Sequence, residues 1–118
     1  MIYLEARFQM DKSFYSFLGL CQKAGKVVSG ETGVNNEIIR GKVKLLIIAE
    51  DTSLNTKKAY LKKARNNDIA VIIAGNKEDL GRAIGKGYRG LIGLLDINMA
   101  RNLIRIYEKN KIGGEARV

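Results

Sequence analysis

Histidine is missing from this chain of 118 residues, and cysteine occurs once. Those two absences remove the usual zinc sites, Cys-His and Ser-His catalysis, and the commonest general base at neutral pH. Proline is also absent, and the chain holds no linker, internal repeat or low-complexity segment. No apolar run approaches the roughly 18 to 20 residues needed to span a bilayer. The start MIYLEARFQM has neither a basic n-region nor a signal-like apolar block. A cytoplasmic protein with no membrane partner is therefore expected, and enzyme chemistry is left with few of its usual tools.

What is present is apolar residue enough for one core, 46% of the chain, and a large excess of positive charge. A chain of this length buries most of its apolar side chains as a single domain. The 21 Lys and Arg against 12 Asp and Glu give a formal charge of +9, the footprint of a polyanion binder or of a merely soluble basic surface. The excess is spread along the chain. The lone Cys21 lies in FYSFLGLCQKAG, where Phe14, Phe17, Leu18 and Cys21 repeat at helical spacing, so it reads as a core thiol.

Asp11 is placed to cap a first helix that ends near Ala24, with Gly25 as the left-handed residue beyond it. KVVS is a short strand leading into a helix that starts at Gly30 and is closed by Gly41, and VKLLIIAE is a strand covered on both faces. A helix from about Ser53 to Asn66 and a third buried strand, IAVIIAG, follow. Asn76 and Asp79 form a capping pair for a short helix through Ile84, GKGYRG is a glycine-rich loop, and LIGLLD is a fourth strand. Asp96 or Asn98 caps the last helix, whose apolar stripe is Met99, Leu103, Ile106 and Tyr107. This alternation predicts a three-layer α/β/α sandwich around a mostly buried mixed sheet of about four strands. Residues 11–112 form the expected domain, with 1–10 a loosely packed extension or an added edge strand and 113–118 a tail. Met10 is an alternative natural start.

VIIAGNKEDL imitates the guanine-specificity element of GTPases, with Asn76, Lys77 and Asp79 in Asn-Lys-x-Asp order. Such a site needs a phosphate cradle. The nearest approach, GLCQKAGKV, is one residue too long and has Val27 where a magnesium-binding hydroxyl is required. Asn76 is better read as a helix cap.

The helix after Gly30 places Thr32, Asn36 and Arg40 in one i, i+4, i+8 row on its open side, opposite Val34 and Ile38. Gly30 and Gly33 leave backbone amides uncovered at a helix N-terminus, where phosphate or base-edge acceptors are favoured. Close helix packing is the other reason for two small residues there.

The succession SGETGVNNEIIRGKVKLLIIAEDTS, then IAVIIAGNKEDLGRAIGK, resembles the archaeal ribosomal protein L-seven-Ae family, with its L-thirty-e and S-twelve-e relatives, over about residues 14–95. Arg40-Gly41, the strand end Ala49-Glu50-Asp51 and LGRAIG carry the likeness, and small bacterial ribosomal-protein paralogues look nearest. The resemblance implies an α/β/α domain that binds RNA kink-turns, bends containing tandem sheared G·A pairs, with neither cofactor nor catalysis. The family's Gly-x-Asn-Glu-x-x-Lys motif, aligned through Arg40 and Gly41, falls on Gly30, Glu31, Thr32, Gly33, Val34, Asn35 and Asn36. The glycine is kept, but Asn becomes Thr32, Glu becomes Gly33 and Lys becomes Asn36, which points to a different or looser RNA target. The family's second contact maps to Ala74, Gly75, Asn76 and Lys77.

The expectation is thus a monomeric, non-catalytic protein of the translation apparatus that binds structured RNA, ribosomal RNA among the candidates. Gly30 to Arg40 and the Gly75 to Lys77 loop carry the recognition, and Lys26, Lys42, Lys86 and Arg89 touch phosphates. The rival is a protein-interaction module of the same fold.

Overall fold

The structure, a computed structural model, describes residues 10–116, with side chains as far as residue 110. The expectations for residues 1–9 fall outside this range. Helix α1 (Lys12–Lys23) starts at Asp11, whose carboxylate accepts from the Ser13 amide at 3.4 Å. It ends at Ala24, ahead of Gly25 at φ 73°. Then follow β1 (Val27–Ser29), α2 (Glu31–Ile39), β2 (Leu45–Ile48), α3 (Leu54–Asn66), β3 (Ala70–Ile73), α4 (Lys77–Ala83), β4 (Leu91–Leu94) and α5 (Ile97–Ala116). Local chemistry sets the starts: Ser53 accepts from the Thr56 amide, Asn76 from the Asp79 amide at 2.8 Å, and Asp96 from the Met99 amide at 2.9 Å.

The strands form one mixed sheet in the order β1-β4-β2-β3, with β4 antiparallel to both β1 and β2, and β2 parallel to β3. Period-two alternation divides the side chains between two layers. Leu45, Ile47, Ile72, Ile92 and Leu94 join Phe14, Leu18, Cys21, Leu80 and Leu103 on the α1/α4/α5 side. Leu46, Ile48 and Leu91 join Val34, Ile38, Tyr60 and Ala64 on the α2/α3 side. All four residues of β2 and of β4 are buried. Each such aliphatic side chain contributes about 1.5–3 kcal/mol relative to exposure. The three-layer α/β/α sandwich is therefore as expected, down to the strand count.

One strand differs from its reading. IAVIIAG suggests a strand covered on both faces, yet in β3 Ala70 is exposed and only Ile72 is fully buried. β3 pairs with β2 alone and forms a sheet edge, and its side chains are only partly covered there.

Candidate functional site

The strand directions decide which residues meet. β1, β2 and β3 end at the same edge of the sheet where β4 begins, since Ser29 pairs with Ile92, and Ile48 with both Leu91 and Ile73. Helices α2, α3 and α4 each follow one of those strand ends, α3 after a five-residue connection. Their first residues enclose a cleft of about 380 Å³, lined by Gly30 and Glu31 of α2, Ser53 and Thr56 of α3, and Lys77 of α4. Thr52 and the segment Tyr88 to Leu91 complete the wall.

Gly30 sets the α2 side. It sits at φ 84° and ψ 161°, where an L side chain is strained, although an added β-carbon would meet nothing within 4 Å. Its amide donates to the Leu91 carbonyl at 3.0 Å, and its own carbonyl accepts from Val34 at 3.0 Å, so the helix opens tied to β4. No side chain caps α2, unlike α1, α3 and α4. The first-turn amides of α2 therefore remain directed outward, at the positive end of its dipole.

The opposite wall is the α4–β4 loop. A β-carbon on Gly81 would lie 1.7 Å from the Gly87 carbonyl oxygen, so helix and loop touch backbone to backbone and only glycine permits it. The Lys86 amide donates to the Gly81 carbonyl at 2.8 Å and the Arg89 amide to the Lys77 carbonyl at 3.1 Å. Arg89 Nε then donates to Ser29 Oγ at 3.1 Å, which holds the guanidinium at the end of β1. Beside it the Tyr88 ring is 71% exposed at the rim. The Lys77 amide donates to Asp51 Oδ1 at 2.9 Å, while its side chain lines the cleft.

Helix α3 is locked to α2 below the cleft. Tyr60 donates its hydroxyl to the Glu31 carbonyl at 3.1 Å, Thr56 Oγ1 donates to Glu31 Oε1 at 3.4 Å, and Lys63 Nζ donates to Asn35 Oδ1 at 3.0 Å. Burial, and then the nearby Glu31 carboxylate, raise the Tyr60 phenol above its ordinary 10.0, which keeps it a neutral donor.

Of the residues singled out from the sequence, Gly30, Glu31, Lys77 and Arg89 line this one cleft. Gly75 and Asn76 lead into it: the Gly75 carbonyl accepts from the Glu50 amide, and Asn76 is the α4 cap, as expected from the sequence. Lys86 is exposed on the loop. Thr32, Asn36 and Arg40 form the expected exposed row, which runs down α2 away from the cleft, with Arg40 only 3.9 Å from Glu37. Gly33 does not share that face. A β-carbon there would fall 2.9 Å from Val28 Cγ2, so it is the close approach of α2 to β1 that keeps this position small. Lys26 and Lys42 lie at the far end of the sheet, where the Lys26 carbonyl accepts from Leu95 and Lys42 follows the α2 terminus.

Sequence reasoning passed over Tyr88 and the hydroxyls of Thr52, Ser53 and Thr56. For Tyr88 the signal was available: an aromatic ring between Gly87 and Arg89 has no apolar neighbours to pack with. Among the described residues no cluster of His, Cys, Asp and Glu is arranged to hold a metal. Cys21 is buried, and burial raises its thiol above the ordinary value.

Fold and cleft together define a three-layer α/β/α domain with an aromatic-rimmed hollow at helix starts, lined by the cations Lys77 and Arg89 and the carboxylate of Glu31. The model of the ribosomal protein L7Ae/L30e/S12e/Gadd45 family matches residues 12–101, and the chain belongs to that family. A Bacillus subtilis (strain 168) protein named RNA-binding protein YlxQ is 35% identical over 95 residues, 80% of this chain and 95% of the relative. An Enterococcus faecium protein of the same name is 28% identical over 93 residues, 79% and 89% of the two chains. A solved structure of a Bacillus halodurans protein described as of unknown function has a TM-score of 0.80 at 36% identity, covering 83% of this chain and 99% of that one.

Proposed function

We propose that this protein is a monomeric, non-catalytic RNA-binding component of the translation apparatus, acting in the cytoplasm on a kink-turn-like or related structured RNA. The observation that carries the reading is the convergence on one cleft of the uncapped α2 N-terminus, Lys77, Arg89 and the exposed Tyr88. Each supplies a part that RNA recognition needs: free amides for a phosphate or base-edge acceptor, cations for the backbone, and a ring on which an unstacked base lies flat. Family membership and the naming of two relatives as RNA-binding support the class of ligand. Among the described residues no helix is long and apolar enough to cross a membrane.

In this reading Gly30 keeps the α2 backbone bare, while Thr32 and Asn36 present shorter, uncharged groups than the family's motif. A hydroxyl and an amide there satisfy fewer acceptors and bring no positive charge to a phosphate, so selectivity for a standard kink-turn is weaker than for a target adapted to them. The test is fluorescence anisotropy with a kink-turn RNA and a straight duplex at equal salt. A K77Q/R89Q variant is expected to lose at least tenfold in affinity for the kink-turn RNA, and a wild-type affinity in that variant refutes the cleft as the reading surface.

A further inference from the structure

Helix α3, LNTKKAYLKKARN, holds five cations and no carboxylate. Two of them are occupied within the protein: Lys57 Nζ donates to the Glu50 carbonyl, and Lys63 Nζ to Asn35. The side chains of Lys58, Lys62 and Arg65 are exposed and have no ion pair or hydrogen bond among the described residues. Their i, i+4, i+7 spacing puts them on one stripe, opposite the buried Tyr60 and Ala64, and it stretches about 10 Å along the axis. The helix begins at the cleft, where Ser53 and Thr56 line the wall, and descends beside α2. A row of unpaired like charges on one face is repulsive by itself, and a polyanion relieves that repulsion.

We propose that Lys58, Lys62 and Arg65 form a phosphate-binding ridge that grips the backbone of an RNA duplex leading away from the cleft. The proposal rests on the RNA-binding reading and adds a second surface with a different task. The cleft reads a bent or unstacked element, whereas the ridge, made only of flexible cations, follows a regular A-form backbone without regard to sequence. Helix α5 provides the contrast. Its exposed Arg101, Arg105 and Lys109 share the surface with Glu108, Arg105 is engaged by Asn102, and the helix lies in the layer across the sheet.

The test measures binding of a straight RNA duplex of about 20 base pairs as salt rises from about 50 to 200 mM. Three phosphate contacts at about 0.9 each add ~2.7 to the log-log slope, so wild type should lose roughly 40-fold more affinity over that range than a K58Q/K62Q/R65Q variant. Gln resembles Lys and Arg in helix propensity, so α3 stays formed, which circular dichroism checks. An R101Q/R105Q/K109Q variant removes the same charge from the other layer and should keep the wild-type slope. A wild-type slope in the ridge variant, an equal loss in both variants, or no salt-dependent duplex binding by wild type each overturns the ridge; the first assigns the stripe to an acidic protein or to solvent. Failure of the cleft reading has a separate signature: K77Q/R89Q then binds the kink-turn RNA like wild type while the duplex slopes still differ.

Discussion

Replacing Gly33 with alanine sets two effects of opposite sign against each other. Alanine is favoured over glycine in a helix by about 0.5–1 kcal/mol, because glycine loses more backbone freedom on folding. At this site the new β-carbon arrives 2.9 Å from Val28 Cγ2, well inside ordinary contact, and Val28 is β-branched and stiff about χ1. Val28 also packs on the α2/α3-side core and sits in an edge strand paired with Gly93, so relief requires α2 or β1 to shift. Overpacking of this kind costs about 1–3 kcal/mol. The net expectation is a loss of about 0.5–2 kcal/mol for Gly33→Ala, read by urea denaturation, with a fall of roughly 2–8 °C in Tm. Val28→Ala alone loses part of a half-buried side chain, about 1 kcal/mol. In the double variant the collision disappears, and the two changes should be less harmful together than their sum by about 1 kcal/mol or more. A stabilising Gly33→Ala, or strict additivity with Val28→Ala, refutes the packing explanation of this glycine. The result bears directly on function, since rebuilding the family motif requires Glu at this position and only Asn and Lys at the exposed Thr32 and Asn36. T32N/N36K is therefore expected to raise affinity for a standard kink-turn without loss of stability, and adding G33E to improve binding only at the expense of folding.

Three further outcomes follow from contacts described above. Asn76→Ala removes the cap of α4 and should cost about 1 kcal/mol in thermal denaturation, while calorimetry finds no saturable GTP binding in either form. Gly81→Ala drives a β-carbon into the Gly87 carbonyl, so the variant should be strongly destabilised or lose the ordered α4–β4 loop, seen as faster amide exchange at Lys86 and Arg89. Tyr15 and Tyr60 have phenols raised above 10.0, chiefly by burial, so folding favours their neutral forms. That stability is fully present below pH 10, where unfolded tyrosine is also neutral, and is lost as pH climbs through the folded values; Tyr60→Phe should give up about 1 kcal/mol at neutral pH and blunt the alkaline loss.

Local signals account for what could be read in the sequence. Asp11, Asn76 and Asp96 cap helices because a short polar side chain meets an orphan amide two or three residues on, and such chemistry needs no partner from elsewhere in the chain. The burial of β2 was equally plain from LLII. The order β1-β4-β2-β3 was not, because it depends on which strands pair across the fold, and that order leaves β3 at an edge. The fold-back of α2 on β1 brings Val28 under Gly33, so a glycine that looked bared for a ligand is also closed by a neighbour. Half of the cleft was legible for the same reason: Gly30 and Arg89 stand out as residue types, but only the Gly81–Gly87 contact carries Tyr88 and Arg89 to the end of β1.

Gly30 and Gly81 have a joint consequence for how such a protein changes its target. Both are fixed by geometry, one by a positive φ and the other by a carbonyl 1.7 Å from where a side chain would begin, so neither position tolerates a new chemical group. Thr32, Asn36, Arg40 and Tyr88, by contrast, are exposed and bear little of the core. Substitutions there alter what is recognised without disturbing the backbone that presents them. The molecule thus works like a printer's forme, a rigid frame with a few removable letters, and a new message can be set by exchanging letters one at a time.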